Sequence, residues 1–223
     1  MNDKRQLPIM GLRWWIISLV TIGTILNYLA RSSLSVAAPT LMEVFDMSTQ
    51  QYSWVVFSFQ ATYTVMQTFS GAILDWLGTR LGFAIFVVGW GISNMCHAFA
   101  TGWFSLAFWR GLLGSFEAAA IPGGLKVVSE WFPPRERTVA TGVFNMGASL
   151  GNMIAPALVA FCILYFGWQS AFLITGGLSL LFAFLWYFVY RSPEQSKRLS
   201  QSELAHIQMA GDDAGVVARP AHW

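Results

Sequence analysis

Long apolar runs alternate with short polar breaks along this chain, and six of the runs have the length of membrane-spanning helices. They cover approximately 14–36, 53–74, 81–100, 103–124, 138–163 and 168–190. About 20 apolar residues, rising 1.5 Å each, cross a hydrocarbon core ~30 Å thick. The breaks carry the chemistry of turns. Pro39 to Gln51 holds Glu43 and Asp46, Asp75 to Arg80 is short and charged, and Thr101-Gly102 is a tight turn. Glu130 to Arg137 sets Pro133-Pro134 among four charges, and Gly167 marks the last turn. The pattern divides the chain into an N-terminal segment 1–13, a six-helix repeat 14–190 and a polar tail or linker 191–223. A weak helical pattern surrounds Ser200–Met209 in that tail. The first run follows Lys4, Arg5 and Arg13 as a signal peptide would. It is too long for a cleaved apolar region and lacks a clear A-x-A site, so it reads as a retained anchor.

Composition agrees with an all-α membrane protein. Hydrophobic residues make up 55% of the 223 positions and charged ones 11%, against roughly 25% charged in soluble domains. Mean hydropathy is +0.52. Of the thirteen Lys and Arg residues, Lys4, Arg5, Arg13, Arg80, Lys126, Arg135, Arg137, Arg191, Lys197, Arg198 and Arg219 fall at the termini or in the even-numbered connections. The odd-numbered connections hold none. By the positive-inside rule both termini are expected in the cytoplasm, here of a bacterial cell with the chain in its inner membrane. Trp14, Trp15, Trp54, Trp76, Trp103, Trp131 and Trp168 sit at predicted span ends, as an interfacial belt would place them. Cys96 and Cys162 read as small buried apolar side chains, with a bridge between them as the alternative.

Three ionisable residues fall inside predicted spans: Arg31 in the first, Arg110 and Glu117 in the fourth. Each costs ~2.5–3.5 kcal/mol at the bilayer centre on insertion scales, so each calls for a partner or a purpose. Arg110 and Glu117 lie two helical turns apart on one face, with Gly114 between them to admit a close neighbour. A carboxyl can exchange a proton where an arginine cannot. One reading makes Glu117 a proton site and gives Arg31 or Arg110 a substrate carboxylate to hold in a bidentate fork. The other is a charge-compensated network tying the first and fourth helices together. Asn27, Tyr28, Gln60, Tyr63 and Asn145 fall where they would line the same cavity or form interhelical hydrogen bonds. In the fifth segment Gly147-x-x-x-Gly151 predicts close helix packing and Pro156 a kink.

The same stretch, Gly147-Ala148-Ser149-Leu150-Gly151, matches the G-x-S-x-G pattern of a serine nucleophile. An intramembrane protease would need Ser149 to meet a histidine, and only His97 lies near a span. The two fall at different depths, which disfavours the dyad. No metal-ligand cluster, phosphate loop or dinucleotide fingerprint is present, and neither an enzyme, a cofactor nor a nucleic-acid partner is expected.

Four stretches carry a family resemblance. Gly71-Ala-Ile-Leu-Asp75-Trp-Leu-Gly78-Thr-Arg80 resembles the cytoplasmic gating signature of the major facilitator superfamily. Asn27-Tyr28-Leu-Ala30-Arg31, Arg110-Gly-x-x-Gly114-x-x-Glu117 and Glu130-Trp-Phe-Pro-x-Arg135-Glu136-Arg137 resemble its anion:cation symporter family. Within that family, Thr40 to Tyr52, Tyr63 to Gln67 and Ala119 to Lys126 are most similar to bacterial hexuronate transporters. The resemblance implies proton-coupled transport of a small organic anion, glucuronate or galacturonate, by alternating access. It gives the carboxylate to Arg31 with Tyr28 and Tyr63, and the proton to Glu117 with Arg110 beside it. Ala30 departs from the acid that many members have there, so one proton per monoanion is the minimal scheme. Superfamily members are built from two six-helix halves, and only the N-terminal one is legible here. The second wall would come from a separate C-terminal half or a second copy. The alternative is a truncated, inactive fragment.

Overall fold

The computed structural model describes residues 11–196 and 198–207, with no strand among them. Lys4, Arg5, Lys197, Arg219 and the end of the tail pattern at Gln208 and Met209 lie outside the described residues. Seven α-helices follow one another: α1 (Leu12–Val44), α2 (Thr49–Leu77), α3 (Thr79–Cys96), α4 (Trp103–Glu117), α5 (Ala120–Trp131), α6 (Arg137–Phe166) and α7 (Trp168–Val189). Side-chain contacts fix their directions. Arg13 at the start of α1 meets Glu136 at the start of α6, and Asp75 at the end of α2 meets Lys126 in α5. Arg80 near the start of α3 donates to the carbonyl of Tyr187 near the end of α7. At the opposite end Phe45, just past α1, packs edge-on against Trp168. The chain therefore runs up and down six times, with α4 and α5 sharing one passage.

By length and composition four segments can cross a membrane: α1, α3 with the 3₁₀ turn after it (Thr79–Phe99), α6 and α7. Helix α2 has the length, 29 residues, but carries Gln60, Thr62, Tyr63, Thr64 and Gln67. The helices pack chiefly as three pairs, α1 with α6, α2 with α4 and α3 with α7. In the first two pairs a glycine lets the backbones touch. A Cβ on Gly151 would stand 2.7 Å from the carbonyl oxygen of Ile25, and one on Gly114 would stand 2.5 Å from that of Phe59. Both glycines were expected to admit a neighbour, and both do.

The fourth passage is not the continuous helix its hydropathy predicts. Glu117 ends α4, Ala118 and Ala119 form a turn, and α5 restarts at Ala120 and runs to Trp131, beyond the predicted end at 124. Pro122 explains the break, because it has no amide to give the carbonyl of Ala118 four residues back. Ser70 of α2 donates its hydroxyl to that carbonyl instead, at 3.3 Å. Helix α1 departs the other way. It continues through Pro39 to Val44, where a break was expected. Fully buried Ala37 and Leu41 belong to an apolar cluster with Val55 and Phe172. That packing offsets the cost of a proline inside a helix, about 3 kcal/mol. Pro156 likewise lies within the uninterrupted span of α6.

The tryptophan belt is only partly exposed. Trp15, Trp54 and Trp76 face outward, whereas Trp131 and Trp168 are buried in apolar clusters. Their rings are more completely removed from water by neighbouring helices than by an interface. Cys96 and Cys162 are unbridged. In the tail, residues 201–207 are helical. Glu203 there accepts hydrogen bonds from the amides of Leu12 and Arg13, both at 3.3 Å. It thus serves the first turn of α1, where Gly11 offers no side chain to cap it.

Candidate functional site

Arg31 sits midway along α1 and Glu117 at the last residue of α4, where the helix breaks. The two form an ion pair, with Arg31 Nε donating to Glu117 Oε2 at 2.9 Å. Glu117 has no exposed side-chain surface and Arg31 keeps 25% of its own. Glu117 Oε1 is buried without a hydrogen-bond partner among the described residues. A carboxylate removed from water with one oxygen unserved is costly, so the pair is held at an energetic edge.

Aromatic rings frame the cation. The Arg31 guanidinium carbon lies 5.0 Å from the ring centre of Tyr28, 5.1 Å from that of Phe59 and 4.7 Å from that of Tyr63. Arg110, also buried, places its guanidinium 4.6 Å from the same Phe59 ring and donates Nη2 to the carbonyl of Arg31 at 2.8 Å. Its Nε and Nη1 are buried and unpartnered among the described residues. Phe59 therefore lies against two arginines and also stacks on Tyr63, centroids 5.6 Å apart. Cation–π attraction to each face or edge softens two like charges sharing one pocket. The cluster holds two cations and one anion, an excess of one positive charge.

The sequence singled out Arg31, Tyr28, Tyr63, Arg110 and Glu117, and the fold brings them together. It joins Glu117 to Arg31 rather than to Arg110, although the latter shares its helix. Asn27 is 1% exposed, with both side-chain polar atoms unpartnered among the described residues. Gln60 and Asn145 are exposed, and no hydrogen bond among the described residues ties either to the cluster. Phe59 was missed, though its place four residues before Tyr63 puts the two on one face of α2.

The turn after α2 builds a second polar group. Gly78 has φ +77°, a left-handed backbone that lets one residue connect α2 to α3. Asp75 pairs with Lys126 of α5, whose Nζ also donates to the carbonyl of Leu74 at 3.1 Å. The Arg80 guanidinium lies 4.3 Å from the Tyr187 ring, and Trp186 donates its indole N–H to the Arg80 carbonyl at 3.1 Å. At Gly71 no atom lies within 4 Å of where a Cβ would stand, leaving that face open. The protease geometry is not assembled. Ser149 lies mid-helix in α6 with no strand before it. His97 is buried against Phe172, its Nδ1 2.8 Å from the carbonyl of Ser93.

Comparison with known proteins agrees with this architecture. The family model of the Major Facilitator Superfamily matches residues 20–221. A galacturonate transporter of Dickeya chrysanthemi is 49% identical over 218 residues, covering 96% of this chain and 63% of the relative. The hexuronate transporter of Escherichia coli K12 is 49% identical over 199 residues, covering 89% and 46%. This chain thus spans about half to two thirds of the length of these relatives. These relatives are transporters, and nothing in the comparison points to an enzyme. A bacterial homologue of the lysosomal transporter Spinster, inward-facing and occupied, superposes with a TM-score of 0.72 at 22% identity, over 81% of this chain and 45% of that one. With a family match across most of its length and a six-passage helical fold of the same kind, the chain belongs to the Major Facilitator Superfamily and has the architecture of its N-terminal half.

Proposed function

We propose that this chain forms one wall of a proton-coupled symporter for a small organic anion, a hexuronate such as galacturonate or glucuronate, in a bacterial inner membrane. The observation that carries the reading is the shared guanidinium: Glu117 occupies only Nε of Arg31, inside a pocket with one surplus positive charge. The terminal nitrogens of Arg31 form a fork suited to a sugar-acid carboxylate, with Tyr28 and Tyr63 flanking it. Asn27, Gln60 and Asn145 serve the hydroxyl-rich remainder of the sugar. Glu117 takes the proton, and Arg110, bonded to the Arg31 carbonyl, holds the cluster's second charge.

Coupling follows from competition. A protonated Glu117 releases Arg31 and raises the pocket's surplus from one charge to two, which favours an incoming carboxylate. A carboxylate on Arg31 in turn leaves Glu117 without its counter-ion, which favours protonation. The two ligands therefore assist each other by linkage. One proton and one monoanion leave the pocket's net charge unchanged, the state in which the halves can rock past each other. Both termini and the Asp75–Lys126 group are assigned to the cytoplasmic side, where the described arginines and lysines outside the cluster gather. The opposite wall comes from a second six-helix half, in a separate chain or a second copy.

The test is uptake of labelled galacturonate by cells lacking their own hexuronate transport. The chain is expressed alone and together with the C-terminal half of the Escherichia coli hexuronate transporter. Uptake is expected with both halves, to be competed by glucuronate and not by neutral galactose. Equal competition by galactose would mean that the carboxylate is not what the pocket recognises.

A further inference from the structure

A second cavity, of about 780 Å³, opens between the start of α1 and the end of α7, remote from the Arg31–Glu117 pair in both helices. We propose that this groove binds an anionic glycerophospholipid, with the phosphate at Arg191 and Arg198 and the acyl chains along Leu19, Leu185 and Phe188. The wall is apolar and Phe188 is 57% exposed, so the bundle itself leaves it uncovered. The rim carries two arginines, and no Asp or Glu lines the groove. Arg191 is held in place, its Nη1 donating to the carbonyls of Tyr187 and Tyr190 at 3.0 and 2.8 Å. Trp131, fully buried, forms part of the floor, and its indole nitrogen makes no hydrogen bond among the described residues. An occupant must therefore offer a long apolar body, an anionic head and an acceptor at the junction between them. A lipid phosphate with its ester carbonyls supplies all three. A zwitterionic lipid brings a cation of its own to a rim already positive, which makes it the poorer fit. The smaller cavity of about 340 Å³ beside Gly71 is lined by Asp75 as well as Lys126 and lacks this one-signed rim.

The experiment is native mass spectrometry of the purified chain in detergent, with phosphatidylglycerol or phosphatidylcholine of identical acyl chains. Wild type is expected to retain phosphatidylglycerol about tenfold better than phosphatidylcholine, as two arginines near an anionic head allow. The double variant Arg191→Gln/Arg198→Gln is expected to lose that preference, and Arg135→Gln, outside the groove, to keep it. Equal retention of both lipids by wild type, or an intact preference in the double variant, overturns the proposal. Hydrogen exchange on the unmodified chain gives a reading that needs no variant. Phosphatidylglycerol should slow exchange at the start of α1 and around residues 189–198 more than phosphatidylcholine does, and the absence of that difference counts against the site. Neither measurement involves sugar transport, so each outcome is independent of the symport reading.

Discussion

Arg31 has one guanidinium and, in the proposed symport cycle, two claimants. Its pairing with a buried carboxylate makes the planar fork matter as much as the charge. In Arg31→Lys the ammonium keeps the charge but cannot serve Glu117 and a substrate carboxylate at once. Galacturonate binding, measured by calorimetry on the assembled transporter, should weaken at least about tenfold, in keeping with the ~1.5–3 kcal/mol of a charge-assisted hydrogen bond. Unchanged affinity would place the substrate elsewhere. The ionisable members of this cluster were legible in the sequence because lipid makes buried charge conspicuous. Phe59 was not, since an aromatic residue in an apolar helix carries no signal until the two arginines are seen against its ring. The pairing of Glu117 with Arg31 was open for a similar reason. Spacing along α4 relates Arg110 to Glu117, whereas only the packing of α1 brings in Arg31.

Helix existence was readable from hydropathy, and helix continuity was not. A proline can end a helix or be carried inside one, and neighbours decide which. Pro39 is carried because Ala37 and Leu41 are buried on both sides of it. Pro122 ends the run because the turn before it finds a donor in Ser70. In Ser70→Ala the Ala118 carbonyl loses that donor in a buried setting, and thermal unfolding should report a loss of about 1–3 kcal/mol. A null effect would show that water serves the carbonyl. Close packing gives a sharper expectation, since Gly151→Val puts a branched side chain where a lone Cβ already stands 2.7 Å from the Ile25 carbonyl oxygen. The α1–α6 pair should open at a cost of about 1–3 kcal/mol or more, seen as a lowered melting temperature. The exposed Gly142 has nothing within 4 Å of its Cβ position, so Gly142→Ala serves as the tolerated control.

Across the whole molecule, the six passages form one wall rather than a closed body. The most apolar part of α6 is only 22% buried within the chain, against 61% for α3. Lipid or a second half must cover that face, and hydropathy alone could not say which helix would be left bare. The tail joins the wall through Glu203, which accepts from the first amides of α1. Glu203→Ala should speed hydrogen exchange at Leu12 and Arg13 and destabilise that end by about 0.5–2 kcal/mol, the usual worth of a helix cap. Exchange indifferent to the substitution would mean the tail merely lies nearby. If Glu117 and the substrate share Arg31, proton and anion must move together through the assembled transporter. Proteoliposomes holding the chain with its complementary half allow two activities of Glu117→Gln to be compared. One is accumulation of galacturonate driven by a proton gradient, and the other is exchange of galacturonate across the membrane without a gradient. The first should fall at least about tenfold while the second persists, because a neutral side chain at 117 fixes the proton-loaded state. Gradient-driven accumulation that survives in Glu117→Gln would show that the proton is carried by another group.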